Sequence, residues 1–327
     1  MKYLIAHQSL LRLARIKYQV MALISDVDII ESSTLTDAYN LAEHAEPSCV
    51  VISQELAEQA EFELLASLFG IMNIICIVLT TGKQTPRAHP LFPGIRMVPE
   101  LDLEDAIRRT ARLSQPAQNQ THPAGKSPTV AENYDHNRLI LLGASTGGID
   151  ALLMVTQCFD HRCPPVLIVQ HTGGSFAASL IRLLNAASPA NVIAAADNMA
   201  LSPGHMYLAP DDQAHLVVAA GRQRHLALRK NAPISGHRPS VDALFNSAIP
   251  QAPKVSAALL TGMGKDGAAG LTKLRHAGAH TIGQDRQTSV VYGMPRVAME
   301  MGGVGAQLPI QEIGPALLKS CKVKQRV

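Results

Sequence analysis

Short apolar runs alternate with amphipathic segments along the first 113 residues. The runs at 3–6, 28–31, 49–52, 74–79 and 95–98 have the length of buried strands, and helical spacing of apolar residues follows at segments such as 36–44 and 103–113. Such an alternation is typical of a parallel sheet covered by helices. Residues 1–113 are therefore predicted to form a small five-stranded α/β domain.

A polar stretch at residues 114–137 interrupts this pattern. It contains three prolines and almost no apolar periodicity, as expected of a linker. Beyond it, apolar runs recur at 139–142, 165–170, 191–196, 205–209, 215–220, 225–228, 255–260 and 280–283, and helical patterns at 148–157, 175–186, 240–248, 267–276 and 295–301. We expect a second α/β domain at 138–322, a larger, doubly wound and mainly parallel sheet with a hairpin insert near 202–230. Ligands of such sheets bind beyond the carboxyl ends of the strands.

Composition narrows the class of protein. The 327 residues are 47% hydrophobic, enough for two cores, and the formal charge of +3 comes from interspersed signs rather than a basic stripe, which argues against a nucleic-acid partner. The five cysteines form no Cys-x-x-Cys pair, so a reducing cytoplasm fits best. No apolar stretch approaches the roughly 18 to 20 residues of a membrane span, and no metal-binding spacing joins the histidines. We expect a cytoplasmic protein that is not embedded in a membrane and needs neither metal nor organic cofactor.

A candidate nucleophile follows the first strand of the second domain. Ser145 stands in the sequence Gly143-Ala144-Ser145-Thr146-Gly147-Gly148, where an apolar run stops at small residues and a helical pattern begins. A hydroxyl on such a turn projects from the edge of the sheet, and the N–H groups at the helix start can stabilise an oxyanion. Two other interpretations stay open at this point: Ser145 caps the helix, or the glycines cradle a phosphate.

Two further strand ends carry groups that complete a hydrolytic set. His171 ends the strand at 165–170, where an imidazole could accept the Ser145 proton, and Asp266 follows the strand at 255–260, where a carboxylate could orient that imidazole. Each has an ordinary alternative, a hydrogen-bonded structural histidine and an acid in the first turn of a helix. Their convergence in the chain order Ser, His, Asp favours covalent acyl chemistry. The turn Gly262-Met263-Gly264 could add backbone oxyanion donors, or serve only close packing.

Five motifs follow one another in unbroken order between about Leu139 and Cys321: the Ser145 turn, Gln170-His171, Gly236-His237-Arg238-Pro239-Ser240-Val241-Asp242, Leu260-Thr261-Gly262-Met263-Gly264-Lys265-Asp266-Gly267 and Tyr292-Gly293-Met294-Pro295. Together they resemble the CheB-type chemotaxis protein-glutamate methylesterases. We expect Thr146, Met263, Gly264, Arg238 and Met294 to be oxyanion or substrate contacts, with the segments 293–295 and 237–239 lining a shallow cleft; for Arg238, a surface cation is an equally good interpretation. The resemblance implies a Ser145, His171 and Asp266 triad. It also implies the reaction, hydrolysis of glutamate methyl esters on chemoreceptor cytoplasmic helices with release of methanol, and in many members deamidation of receptor glutamines.

The first domain departs from the receiver domain with which members of this family commonly begin. Ser53 stands where a phosphorylated aspartate is expected, Ala6-His7 replace the acidic pair that binds magnesium, and Val98 replaces a lysine, while Thr80 or Thr81 retains the hydroxyl position. Magnesium requires carboxylate oxygens that this set does not supply. We therefore expect no regulation by aspartyl phosphorylation. Docking on the catalytic domain, binding of a partner and dimerisation all stay open as roles for this degenerate domain.

Three other functions are weighed against the esterase. A non-catalytic adaptor on an esterase scaffold gains support from the degenerate first domain, but such a scaffold has no need of all three candidate catalytic residues. A nucleotide-binding enzyme that used Gly143–Gly148 as a phosphate loop would require a Gly-x-Gly-x-x-Gly sequence or a P-loop lysine there, with an acidic partner for the ribose, and that loop has neither sequence feature. A hydrolase of another carboxyl ester fits the residues as well.

Overall fold

The protein divides into two compact units, Met1–Pro123 and Ala124–Val327. The structure, a computed structural model, describes residues 1–59, 61–72, 74–81, 87–88, 95–113, 134–171, 177–210, 213–219 and 225–323. The predicted linker lies outside the described residues except for its last four. Of these, Tyr134 is buried and forms a bridge with Lys322, so it packs with the second unit although it precedes the predicted boundary at residue 138.

The first unit is a twisted α/β layer structure. Its strands are β1 (Lys2–Ala6), β2 (Asp28–Ser32), β3 (Cys49–Ser53), β4 (Ile75–Thr80), β5 (Arg87–Ala88) and β6 (Arg96–Pro99). Its helices are α1 (Leu10–Leu23), α2 (Leu35–Ala45), α3 (Gln54–Ala57), α4 (Phe62–Met72) and α5 (Leu103–Leu113). The sheet order is β2-β1-β3-β4-β6-β5, in which only the two-residue β5 runs antiparallel. The five predicted strands are present, and β5 is too short to leave a pattern in the sequence.

Local sequence explains the helices of this unit. Ser9 and Thr34 cap α1 and α2, since their side-chain oxygens accept backbone N–H bonds from the first turns. Helix α1 then turns Leu13, Ile16 and Val20 onto the sheet at helical spacing. The central strand β3 is buried along its whole length, as expected for a parallel strand covered on both faces.

The second unit contains a seven-stranded, wholly parallel sheet. Its strands are β7 (Leu139–Ala144), β8 (Val166–Gln170), β9 (Asn191–Ala194), β10 (His205–Leu208), β13 (Val255–Leu259), β14 (His280–Gln284) and β15 (Ala306–Leu308). The predicted hairpin insert is formed by β11 (His215–Val218) and β12 (Leu226–Arg229). The helices of the second unit are α6 (Gly148–Thr156), α7 (Ala177–Ala187), α8 (Val241–Ser247), α9 (Ala268–His276), α10 (Met294–Glu300) and α11 (Ile310–Ser320).

The order of this sheet places a crevice at its centre. The order is β15-β14-β13-β7-β8-β10-β9, so the chain starts in the middle at β7, builds one side, and then returns to β13 on the other side of β7. The carboxyl ends of β7 and β13 therefore lie at the point where the chain changes direction, which is where doubly wound sheets bind ligands. The α/β architecture predicted from the sequence is confirmed.

Two elements of the second unit were not predicted. The edge strand β15 has only three residues, and α11 contains Gly314 and Pro315, both unfavourable inside a helix. Gly314 is nevertheless required by packing, because a Cβ there would collide with the carbonyl of Val155 on α6. Within the described ranges, no helix is long and apolar enough to cross a membrane.

Candidate active site

Ser145 lies in the turn between β7 and α6. Its backbone N–H donates to the carbonyl of Thr261 just beyond β13 (3.0 Å), and its own carbonyl accepts from the N–H of Gly148 (2.7 Å). Gly147 caps α6 with φ of +76°, a conformation that favours glycine, and the side chain of Val290 leaves no room for a Cβ there. These contacts hold Ser145 at the carboxyl edge of the sheet, where the sequence placed it.

His171 occupies the equivalent position at the end of the neighbouring strand. The register pairs Ala144 with Gln170, and the N–H of His171 donates to the carbonyl of Ala144 (3.1 Å). Ser145 and His171 therefore follow paired residues on strands that are about 4.8 Å apart. The Nε2 atom of His171 lies 2.9 Å from Oδ2 of Asp266, and these two side chains are 9% and 0% exposed. The structure thus brings the predicted base and the predicted carboxylate into direct contact.

The Asp266 contact determines which nitrogen of His171 is free. An ionised carboxylate can only accept hydrogen bonds, so the neutral imidazole carries its proton on Nε2 and keeps the lone pair of Nδ1. Nδ1 is buried and has no hydrogen-bond partner among the described residues. The hydroxyl of Ser145 forms no hydrogen bond with a described residue either. The direct serine to histidine bond is therefore not formed, as is common for catalytic pairs before substrate binds.

Asp266 is held by a set of donors that sequence reasoning did not identify. Besides His171, the carboxylate accepts hydrogen bonds from the Ser240 hydroxyl (2.8 Å) and from the backbone N–H groups of Val241 (2.7 Å), Asp242 (3.1 Å) and Gly267 (3.0 Å). Burial alone would raise the pKa of Asp266, but the bonds from His171, Ser240 and the backbone of Asp242 outweigh burial and hold the pKa below its ordinary value. Asp266 is therefore an anion throughout the neutral range.

The candidate oxyanion donors lie on both sides of Ser145. The backbone N–H groups of Thr146, Met263 and Gly264 have no acceptor in the described part of the chain. A hydrogen bond links Thr146 to the Gly262-Met263-Gly264 turn: the hydroxyl of Thr261, the residue just before this turn, donates to the carbonyl of Thr146 (2.9 Å). Donors that are already oriented and unpaired are suited to stabilising negative charge that develops on a substrate oxygen.

The three side chains predicted to contact substrate have different surroundings. Met263 is 71% exposed, next to Gly262, where an added Cβ would lie 2.6 Å from Cβ of Ser145. Arg238 is half-buried, and its guanidinium donates to the carbonyl of Asn231 (3.3 Å). Met294 corrects the prediction: it is 0% exposed and packs beneath Gly262 at the start of α10, so it supports the turn rather than lining the surface.

Two buried polar residues that support Ser145 were missed. Gln170, 4% exposed, donates from Nε2 to the carbonyl of Ser145 (2.9 Å). Thr261 is fully buried; its N–H donates to Oε1 of Gln284 (2.7 Å), and its hydroxyl donates to the carbonyl of Thr146. For Gln170, the available signal was a polar residue at the end of an otherwise apolar strand.

Two histidines lie near the Asp266 cluster: His237, in the segment 237–239 that was expected to line the substrate cleft, and His215, which sequence reasoning missed. The ring of His237 stacks on that of His171, with centroids 3.9 Å apart and planes inclined by 7°. His215, on β11 and 1% exposed, accepts the N–H of Ser240 at Nδ1 (3.1 Å) and donates from Nε2 to the carbonyl of Ala232 (3.0 Å). Both ring nitrogens of His215 are thus used by a neutral imidazole, which anchors the residue whose hydroxyl bonds Asp266.

In the first unit, the polar residues at the ends of β1 and β3 bond the backbone next to them. Ser53 is buried at the end of β3, and its hydroxyl accepts the N–H of Leu56 as the cap of α3 (3.4 Å). His7, after β1, accepts the N–H of Ser9 at Nδ1 (2.9 Å), and burial lowers its pKa. The side chains of Ser53 and His7 are thus both used in local contacts with the backbone. Over the described ranges, no three His, Cys, Asp or Glu residues are grouped as metal ligands.

Comparison with known proteins assigns the second unit to a family. The model of the CheB methylesterase family matches residues 140–317. The chain belongs to the CheB methylesterase family. Among solved structures, it is similar to the CheB methylesterase catalytic domain of Thermotoga maritima, with a TM-score of 0.54 and 34% identity over 56% of this chain and 97% of that one. The resemblance inferred from the five motifs is confirmed.

Curated relatives extend the similarity beyond the catalytic unit. A Rhizobium etli protein named protein-glutamate methylesterase/protein-glutamine glutaminase is 39% identical over 271 residues, which are 83% of this chain and 74% of that protein. A Rhizobium johnstonii protein of the same name is 42% identical over the same shares. A relative from Hahella chejuensis, also so named, is 35% identical over 89% of this chain and 81% of its own length.

Proposed function

We propose that this protein hydrolyses glutamate methyl esters on chemoreceptor proteins and releases methanol, using Ser145 as nucleophile, His171 as general base and Asp266 as the group that orients the base. The names of the relatives support the reaction, and hydrolysis of the corresponding glutamine amide follows from the same chemistry. The catalytic machinery is assigned to the second unit, and the substrate is a side chain on the cytoplasmic helices of a methyl-accepting receptor.

The bond between His171 and Asp266 is the observation that carries the proposal. A buried carboxylate at 2.9 Å from Nε2 keeps the proton on that nitrogen and stabilises the imidazolium that forms during reaction. The remaining nitrogen, Nδ1, is then the base. His171, which carries this lone pair, follows β8, and Ser145 follows the neighbouring strand β7.

The first half of the reaction forms an acyl-enzyme. Oγ of Ser145 attacks the ester carbonyl carbon while Nδ1 of His171 takes the hydroxyl proton. The carbonyl oxygen becomes an oxyanion, to which the free N–H groups of Thr146 and Met263 can donate. The tetrahedral species then collapses, the carbon to methoxy bond breaks, and His171 returns its proton to the leaving oxygen as methanol is formed.

The second half uses water in place of the serine. His171 takes a proton from a water molecule as that water attacks the acyl carbon. When the intermediate collapses, Oγ of Ser145 leaves and recovers the proton from His171. The product is a glutamic acid side chain on the substrate protein, which loses its proton to water at neutral pH and becomes a carboxylate. All bonds made and broken are accounted for by the ester, one water and the side chains of the site, with one proton released to solvent.

The test is methanol release from methylated receptor fragments. Ser145→Ala removes one oxygen from a side chain that is 8% exposed, so the fold is retained and turnover is expected to fall by roughly 10³-fold or more. Ser202→Ala is the matched control, since that hydroxyl has no hydrogen bond in the described structure. Equal methanol release by the wild type and Ser145→Ala would exclude Ser145 as the nucleophile. No release by the wild type would favour an adaptor or another ester as substrate.

A further inference from the structure

The imidazole of His237 covers one face of the proposed base. The two rings are nearly parallel, 7° apart, at a centroid distance of 3.9 Å. This is the separation of a close stacked contact, and His171 is left only 9% exposed at its side chain. His237 itself belongs to a different segment, between the hairpin and α8.

Backbone bonds make the His237 segment rigid. Residues Ile234 and His237 exchange both of their backbone N–H bonds (3.0 and 2.9 Å), which closes a tight turn. Three residues further on, Ser240 caps α8 and bonds Asp266, and the N–H of Val241 bonds Asp266 as well. One short segment therefore contacts both the imidazole and the carboxylate of the proposed catalytic pair.

A single hydrogen bond does not fix the plane of a histidine ring. His171 is bonded to Asp266 through Nε2 alone, and Nδ1 has no partner among the described residues. The torsion between Cβ and the ring is broad, so the ring can turn about its bond to Cβ and weaken both the Asp266 contact and the direction of the Nδ1 lone pair. A flat surface against one face of the ring opposes that rotation.

We propose that His237 is a positioning residue, which fixes the ring plane of His171 by stacking so that Nε2 stays on Asp266 and Nδ1 stays directed to the Ser145 side. This inference rests on the proposed function, because it assigns His171 the role of base. His237 does not exchange a proton in the reaction. Its contribution is the ring face, which any aromatic side chain of similar size supplies.

The charge state of His237 matters for the same contact. His171 becomes a cation when it takes the serine proton. A neutral His237 ring stacked on it exerts no charge repulsion, whereas a protonated His237, with its ring centroid 3.9 Å away, would repel the His171 cation. Burial, and then the neighbouring His171, lower the pKa of His237 against the opposing attraction of Asp266. Among the described residues, the charges that act on the pKa of His237 are those of His171 and Asp266, and the guanidinium of Arg238, the next residue in the chain, is bonded to the carbonyl of Asn231. At neutral pH, His237 is therefore in the form that suits the reaction.

The experiment compares three substitutions in the full-length protein. His237→Ala removes the ring, His237→Leu fills part of its volume without a flat face, and His237→Phe keeps a flat face that cannot be protonated. His276→Ala is the control, since His276 is exposed at the far end of α9 from Asp266. Thermal unfolding of each variant checks that it is folded.

Methanol release is measured as kcat and KM. We expect kcat to fall about tenfold in His237→Ala and His237→Leu, a fraction of the roughly 10²- to 10⁴-fold that a general base contributes, with KM changed less than about twofold. We expect His237→Phe to stay within about twofold of the wild type near neutral pH. As the pH falls well below the ordinary imidazole pKa and His237 becomes protonated, the wild type should lose activity relative to His237→Phe, because only the wild type gains a second cation against His171. Wild-type kcat in both ring-less variants, or a His237→Phe variant as impaired as His237→Ala, would overturn the inference.

A second readout does not require the substrate. Long-range proton–nitrogen NMR spectra of ¹⁵N-histidine protein report which nitrogen of His171 is protonated. The wild type and His237→Phe should show the Nε2-protonated form, and His237→Ala should show an average of both forms. An unchanged His171 signal in His237→Ala would refute the positioning role. If the wild type releases no methanol, the proposed substrate is wrong, and the NMR comparison still decides whether His237 fixes the ring.

Discussion

Replacing Asp266 by asparagine should separate the role of its charge from that of its shape. In the wild type, Oδ1 accepts three hydrogen bonds and Oδ2 accepts two, from His171 and Val241. The oxygen of an asparagine keeps three of these bonds in the Oδ1 position but only two in the Oδ2 position. It therefore takes the Oδ1 position, and the amide N–H₂ group faces His171 and Val241. His171 can then bond the amide only by accepting at Nε2, which places its own proton on Nδ1, the wrong nitrogen for a base.

The magnitudes follow from these lost bonds. An asparagine that imposes the wrong histidine tautomer lowers kcat by about 10⁴-fold in the well-studied serine protease triad, and we expect a comparable loss here. The N–H of Val241 loses its acceptor while buried, which costs about 1–3 kcal/mol of stability. For a unit of this size, that corresponds to a fall of roughly 2–12 °C in Tm.

Methanol release and thermal unfolding measure the two effects separately. Asp242→Asn is the matched control: this neighbouring carboxylate is 5% exposed and accepts from the N–H of Gly270 and the hydroxyl of Ser235, but makes no bond to His171. An asparagine can keep the Gly270 bond, so activity should stay within about threefold of the wild type. If Asp266→Asn retained more than about a tenth of wild-type kcat, the tautomer argument would be refuted.

Three other predictions concern the turn, the pH dependence and the first unit. Gly262→Ala should lower kcat strongly in the methanol assay with KM little changed, because the new Cβ would lie 2.6 Å from Cβ of Ser145. The control Gly70→Ala places its Cβ in open space and should leave kcat unchanged, and normal turnover by Gly262→Ala would contradict the packing argument. Because folding lowers its pKa, Asp266 stabilises the protein at pH values above the ordinary aspartate pKa, and this contribution is lost as the pH falls through the lower folded value. Chemical denaturation should therefore show that the free energy of unfolding falls more steeply with acid in the wild type than in Asp266→Asn, and parallel curves would argue against this role. Incubation with a small phosphodonor should leave no labile acyl phosphate on residues 1–113, since Ser53 caps α3; mass spectrometry that found one would reverse this conclusion.

The fold could be predicted largely because strands in parallel sheets are buried on both faces. Runs such as 139–142 and 166–169 are continuously apolar, and their ends mark the edge where Ser145 and His171 emerge. The contact of His171 with Asp266 was predictable for the same reason, since parallel strands of one sheet present their carboxyl ends together. The short β5 and β15 left no periodic signal, and α11 was hidden by a glycine and a proline.

The support of the site could not be predicted in the same way. Ser240, Thr261 and His215 bond across the chain over 26, 115 and 25 residues, to partners that only the tertiary structure selects. Met294 illustrates the reverse error. The motif made it a substrate contact, whereas its start-of-helix position turns its side chain into the core. Local sequence reports which residue types are present, but the direction of a side chain depends on which element packs above it.

The proposed nucleophile and base, Ser145 and His171, directly follow the ends of two neighbouring strands of one hydrogen-bonded sheet, whereas Asp266 lies in the turn between β13 and α9. The spacing of the nucleophile and the base is consequently set by the constant repeat of backbone pairing. Helices and hairpins around the rim can diverge, and accessory units can be exchanged, without altering the distances on which bond making depends. In such a scaffold, control is most readily imposed on entry of the substrate, while the intrinsic chemical step is inherited unchanged.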